Sequence, residues 1–222
     1  MKQYSRQLPT KIMQQINKLK ATLHEQVRDE VKENRHADHA IDPIFLNRWS
    51  PRAFSSEPID DEVLMSVLEA ARWAPSSYNE QPWRFLIARS EADRARFLDF
   101  LLPMNQAWAK DAPVLLVLLS KKTFSHNDKP NKVYQLDAGT ASGYLMLQAV
   151  QNDLYVHGMA GFDADKARET LNVPDDYDIL AVYAIGKRGE TSQLPEEMQE
   201  REIPSGRKPL SEIMMEGEFT QN

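Results

Sequence analysis

The chain has 222 residues, 41% hydrophobic and 27% charged, with a formal net charge of −6 and no cysteine. Such a composition is globular, and the length fits one domain of ordinary size, or one domain with an appendage, with a sizeable core. The acidic balance argues against a nucleic-acid partner, the missing cysteines remove disulfides, thiolate nucleophiles and cysteine-held metal sites, and no apolar run exceeds residues 112–119, so no membrane span is expected and a soluble, cytoplasmic protein is.

Residues 10–33 place Ile12, Ile16, Leu19, Leu23, Val27 and Val31 at intervals of three and four, which predicts an amphipathic helix with Thr10 as its N-cap. Residues 34–43 read as a polar linker. The domain organisation expected is an N-terminal helix and linker over 1–43 and a main domain over 44–222. A second helix opens at Asp60 and Asp61 and must stop before Pro75. A strand over 84–89 and a helix over 91–101 follow. The unbroken apolar run at 114–120 suits a central strand buried on both faces. Beyond a polar loop at 121–132, the helix over 134–152 is apolar almost all round. It is slender through Ala138, Gly139, Ala141, Ser142 and Gly143, and mid-helix glycine is tolerated where another helix or a ligand comes close. A short strand at 154–157, a helix at 163–171 and a strand at 179–185 complete the pattern. From Gly186 the Pro-, Glu- and Lys-rich chain reads as an extended tail. Interleaved helices and strands of this kind predict an α+β or α/β fold with a mixed sheet.

No dinucleotide, phosphate-loop, nucleophile-elbow or zinc-protease motif is present. His36 and His39 with Asp38 lie in the polar linker without supporting partners and read as solvated, so no metal site is expected. No side-chain constellation is expected to be catalytic, and any chemistry falls to a cofactor. Four stretches could serve one. In RWSPRAF (48–54), Arg48, Ser50 and Arg52 alternate, so an extended backbone sends all three to one face, where guanidinium forks and a hydroxyl suit an anion. Taken alone, the pattern favours a solvated edge strand over an anion site. APSSYNEQPW (74–83) is longer than a connector needs. Pro75 and Pro82 stiffen it, and Ser76, Ser77 and Asn79 offer short polar groups to a flat heterocycle. HGMAGFD (157–163) carries Gly158 and Gly161, which let backbone approach a planar ligand. PSGRKPL (204–210) is a basic turn in an acidic tail.

These stretches, with the helix DAGTASGYLMLQA, stand in the order of the nitroreductase family of flavin mononucleotide (FMN) enzymes, and the chain resembles that family from about residue 47 to 210. The resemblance implies an α+β, three-layer fold with a central mixed, mostly antiparallel sheet flanked by helices. It also implies a homodimer with FMN at the subunit interface. By motif match, Arg48 and Ser50 would contact the FMN phosphate or ribityl chain, with Trp49 between them. Arg207 would join at the phosphate, helped by Ser205 and Lys208. Arg52 would lie near the N1–C2=O edge of the ring. Pro75, Ser76, Ser77 and Asn79 would reach the flavin of the neighbouring subunit, Asn105 the ribityl or pyrimidine part, and the backbone of Ala160 and Gly161 the region of N5. The implied activity takes hydride from NADH or NADPH and reduces a nitroaromatic, quinone or similar small molecule by a ping-pong mechanism. Two alternatives stand beside it. One is another flavin reaction on the same fold: dehalogenation, flavin ring cleavage or azoline oxidation. The other is a flavin-binding or interaction protein with little turnover. The short segment at 121–132 departs from the longer helical insertion of many relatives, which implies a more open pocket or cover supplied elsewhere.

Overall fold

In the computed structural model, residue 12 and residues 18–19, 21–23 and 25–220 are described. They fall into two compact units, Arg48–Glu202 and a smaller one that combines Met1–Asn47 with Ile203–Asn222.

Four strands form the centre of the larger unit: β1 (Trp83–Ala88), β2 (Val114–Lys121), β3 (Tyr155–Met159) and β4 (Tyr177–Gly186), in the order β1-β2-β4-β3. The apolar run of β2 is buried along nearly its whole length, as expected of a strand flanked on both sides. Leu116 and Leu118 turn to one face. There they join Leu64, Val67 and Ala71 of the Asp61–Arg72 helix and Ala138, Ala141, Leu145 and Ala149 of the Tyr134–Gln151 helix in one core. Leu115, Val117 and Leu119 alternate to the other face, where the Glu91–Asp99 helix contacts β1 and β2. Burying each such side chain contributes about 1.5–3 kcal/mol, so the sheet is the rigid frame on which the loops are mounted.

Several expectations are corrected. All three strand pairings are antiparallel, so the sheet is not mixed; strand direction follows from the connections, which apolar runs do not encode. The helix expected over 91–101 ends at Asp99, and Leu102-Pro103 starts another, Pro103–Ala109, because proline suits the first helical turn and disfavours a helical residue before it. The Tyr134–Gln151 helix is not buried all round: Leu136 is 68% and Tyr144 42% exposed. A Cβ added at Gly139 or Gly143 would meet nothing within 4 Å. This leaves an open stripe down one side. The chain from Gly186 to Glu202 is packed rather than extended. The Gly189 N–H donates to the Ala53 carbonyl and the Ser55 N–H to that of Lys187, the Glu196–Gln199 helix follows, and Leu194 and Glu202 are buried.

In the smaller unit, Thr10, Ile16 and His24 lie outside the described residues. Residues 18–19, 21–23 and 25 are helical, but the helix expected to run to 33 breaks at 26–28. Arg28 there is extended (φ −62°, ψ 143°) and its N–H donates to Asn47 Oδ1; a short helix, Asp29–Lys32, resumes beyond it. The break lets Val27 and Val31 both be buried. Another short helix, Pro43–Asn47, ends the linker, and the buried Arg35 donates to the carbonyls of Leu46 and Ser205. Among the described residues no helix is long and apolar enough to cross a membrane.

Candidate functional site

The 48–52 segment lies against β3, Trp49 beside Tyr155 and the Pro51 carbonyl beside His157. Trp49, Pro51 and Ala53 are buried while Arg48, Ser50 and Arg52 are half-exposed, so the alternation read from the sequence puts the two arginines and the serine on one accessible face. Trp49, offered as a cofactor contact, is 3% exposed. Its ring meets Tyr155 edge-on at 6.0 Å and lies under the Arg188 guanidinium at 5.0 Å, so its side chain anchors the segment.

Two groups hold this backbone in shape. The Glu202 side chain is completely buried and accepts from the backbone N–H groups of Arg52 (2.8 and 3.0 Å) and Ala53 (2.8 Å) and from Arg188 Nη1 (2.9 Å). Bonds to a charged partner contribute about 1.5–3 kcal/mol each, and a buried carboxylate requires them. Arg52 Nη1 stands 3.9 Å from the same carboxylate. On the other side, His157 Nδ1 lies 2.8 Å from the Pro51 carbonyl, so Nδ1 carries the hydrogen and donates. The ring packs 4.5 Å from that of Trp108. Burial holds the His157 pKa below its ordinary value, with the Arg52 charge acting the same way and the Pro51 bond and Glu202 opposing. The imidazole is therefore neutral at pH 7.

Further along, β3 leads to Ala160, which is exposed, and Gly161. Asn105 Nδ2 donates to the Gly161 carbonyl (2.9 Å), so one of its two amide hydrogens holds this turn. A Cβ on Gly161 would lie 2.7 Å from Asn105 Nδ2, and one on Gly158 would lie 2.8 Å from the Tyr183 ring. Packing inside the unit therefore favours glycine at both positions, most firmly at Gly158, where the neighbour is a ring. Asn105 and Trp108 sit one turn apart on the Pro103–Ala109 helix, and His157 and Gly161 lie four residues apart. The structure therefore brings the RWSPRAF segment, Asn105 and the GMAGFD turn together.

The APSSYNEQPW stretch forms a different structure. Ser77–Asn79 is a single 3-10 turn, and Tyr78, Asn79 and Gln81 all have left-handed backbone (φ 52°, 56° and 50°), which costs a residue with a side chain about 1–2 kcal/mol. The turn is closed by Gln81 N–H donating to Ser76 Oγ (2.9 Å). The Ser77 N–H donates to the buried Asp137 carboxylate on the Tyr134–Gln151 helix (3.2 Å), and Glu80 accepts from the Ser125 N–H and hydroxyl. Tyr78 also meets Phe124 edge-on at 5.7 Å. The 121–132 segment is thereby folded against this loop as a turn of its own. Pro75, Asn79 and Gln81 line, with Arg72, Trp73, Ala74 and Tyr144, an open cleft of about 540 Å³.

Ser205, Arg207 and Lys208 belong to the smaller unit and are exposed; the Arg207 guanidinium turns back on the Ser205 and Gly206 carbonyls and the Ser205 hydroxyl. Sequence reasoning missed Glu202, Arg188 and His157. Glu202 and Arg188 look like ordinary surface charges in a polar stretch, and only the fold shows them buried together. His157 could have been found from its place in the motif read for its glycines.

The family model described as "Nitroreductase family" matches residues 46–105 and 101–187. An NADH dehydrogenase of Thermus thermophilus is 26% identical over 201 residues, covering 77% of this chain and 92% of that protein. Among solved structures, an oxidoreductase containing FMN is 40% identical with a TM-score of 0.82, covering 88% of this chain and all of that one. A nitroreductase family protein of Clostridium difficile 630, 24% identical with a TM-score of 0.61 and coverage of 78% and 95%, shares the fold.

Proposed function

The chain belongs to the nitroreductase family, and on that premise we propose that it is an FMN-dependent oxidoreductase that takes hydride from NADH or NADPH and reduces a nitroaromatic, quinone or similar acceptor in ping-pong fashion. The observation that carries this reading is the 48–52 segment. Buried Trp49, Pro51 and Ala53 alternate with accessible Arg48, Ser50 and Arg52 on a backbone held from beneath by Glu202 and His157. Arg52 and Arg188 share one buried carboxylate, and Arg48 stands four residues before Arg52 on the same segment. The local charge is therefore positive, and the donors suit a phosphate or an electron-rich ring edge.

When bound, FMN supplies the hydride and electron transfer. The chain's own residues bind and orient. Arg48 and Ser50 hold the phosphate or ribityl chain. Arg52, always protonated, places positive charge at the N1–C2=O edge, where charge develops on reduction. The exposed Ala160, on a turn held by the Asn105 bond to the Gly161 carbonyl, would offer its backbone to the ring. Ser205, Arg207 and Lys208 retain the phosphate role that family resemblance gives them. Pro75, Ser76, Ser77 and Asn79 serve the flavin of a second subunit. In favour of that dimer stands the open stripe of Leu136, Gly139, Gly143 and Tyr144 on the Tyr134–Gln151 helix, small enough for close helix approach and apolar enough to need cover.

The purified protein is expected to be yellow and to bleach on anaerobic mixing with NADH or NADPH, then to recover colour with a quinone or nitroaromatic. A colourless preparation that takes up no added FMN overturns the reading. An Arg48→Ala variant is expected to lose most of its flavin on gel filtration. Retention at full occupancy would remove Arg48 from the phosphate role.

A further inference from the structure

The carboxylate beneath the 48–52 segment does more than hold backbone. Glu202 Oε1 accepts from Arg52 N–H, Ala53 N–H and Arg188 Nη1, while Oε2 accepts from Arg52 N–H and stands 3.9 Å from Arg52 Nη1. Its side chain is 0% exposed, against 34% for Arg52 and 23% for Arg188. The guanidinium that faces outward therefore has, at its back, a negative charge that water does not screen.

We infer that Glu202 is a positioning residue and counter-charge that sets how strongly the site favours the reduced cofactor over the oxidised one. The inference rests on the flavin reading above. Arg52 shares Glu202 with Arg188, so a ligand docking on Arg52 meets only part of its charge. A ligand carrying more negative charge at that edge gains more from Arg52 than a neutral one, and the carboxylate behind it trims that difference. Neutralising Glu202 leaves the full guanidinium charge to the ligand. A ligand on the far side of Arg52 stands roughly 7–8 Å from the carboxylate, and one charge at that range and an intermediate effective dielectric is worth about tenfold in binding. Removing Arg188 instead leaves Glu202 to Arg52 alone and moves the preference the other way.

The test measures affinity for oxidised and for reduced FMN, the latter anaerobically, together with the melting temperature of the FMN-free protein. Glu202→Gln keeps an oxygen acceptor and loses the charge. The reduced-to-oxidised preference is expected to rise about tenfold, and Arg188→Met is expected to lower it. A purely structural Glu202 would loosen both forms alike and lower the melting temperature with the preference unchanged; that result overturns the inference. If Glu202→Gln does not fold, Arg188→Met decides, a lowered preference supporting the inference and an unchanged one overturning it. Wild-type protein that takes up neither form fails the flavin reading itself, a result distinct from an unchanged preference.

Discussion

The 48–52 segment and the 76–81 loop are both short, polar and irregular, yet they are held by opposite means. The first is pinned from inside: alternate residues are buried, and a fully buried carboxylate and a neutral imidazole bind its backbone. The second is held mostly at the surface by its own turn bonds, with one link to a buried carboxylate and three residues in left-handed backbone. The difference teaches that a cationic site needs its backbone set by countercharge in the core, since the cations repel one another. A loop that offers neutral donors can be shaped by local strain and a few bonds. The first should therefore be intolerant of change and the second forgiving.

The sharpest way to break the contrast is Gly189→Ala. The Gly189 N–H donates to the Ala53 carbonyl, and a Cβ there would lie 2.6 Å from the Phe54 carbonyl carbon and oxygen and 2.5 Å from Gln193 Oε1. Backbone cannot step aside as a flexible side chain can, so the strain falls on the segment's anchor. A loss of about 3 kcal/mol in urea unfolding is expected, with a marked fall in bound FMN. A stable variant retaining its flavin would show the segment to be less rigidly seated than drawn.

On the loop side, Asp137→Ala removes the acceptor of the Ser77 N–H. About 1 kcal/mol of stability is expected to go, with faster exchange of the Ser77 amide hydrogen and no change at Arg52 or Ala53. Slower or equal exchange at Ser77 would deny Asp137 its role as the loop's anchor. A gentler probe of the segment is pH. His157 binds a proton less readily folded than unfolded, chiefly through burial, so unfolding takes up a proton in mild acid. The stability this contributes is present above the ordinary histidine value of 6.5 and is lost as pH falls below it toward the lowered folded value. Wild type should therefore lose more stability between pH 7.5 and 5.5 than His157→Asn, which keeps an N–H for the Pro51 carbonyl. Equal losses would mean the imidazole does not titrate with folding.

Much of this contrast was legible in the sequence, and the physical reason is periodicity. Arg48, Ser50 and Arg52 alternate with apolar or small neighbours, and alternation maps directly onto faces of an extended chain. The apolar run of β2 announced a strand covered on both sides, and it is. Four features were hidden, the first two because they depend on contacts distant in the chain. Glu202 is 150 residues from Arg52, and nothing local marks it as buried. The crowding at Gly158 and Gly161 comes from the Tyr183 ring and the Asn105 side chain, which only the fold brings near. The open stripe on the Tyr134–Gln151 helix was concealed because Leu136 and Tyr144 look like core residues, and apolarity does not tell which surface will cover them. The break at 26–28 was masked by a hydrophobic repeat that continues through Val27 and Val31 on both sides of it.

The smallest effect is expected at Gln81. Its φ of 50° is one that glycine adopts freely, so Gln81→Gly relieves roughly 1 kcal/mol of strain. Against that, glycine makes the unfolded chain more flexible, a loss of about 0.4–1 kcal/mol, and the Gln81 Nε2 bond to the Asn79 carbonyl disappears. The backbone bond that closes the turn, Gln81 N–H to Ser76 Oγ, survives. The opposing terms nearly cancel, and a net change within about 0.5 kcal/mol is expected in urea unfolding. A gain well above about 1 kcal/mol would mean the loop stores more strain than its turn bonds offset. Its shape would then be held by something outside this chain's own unit, such as the second subunit proposed to cover it. A loss of that size would mean that the Gln81 side chain, and not the local turn, keeps the loop in place. In either case the loop would no longer count as the forgiving partner of the 48–52 segment.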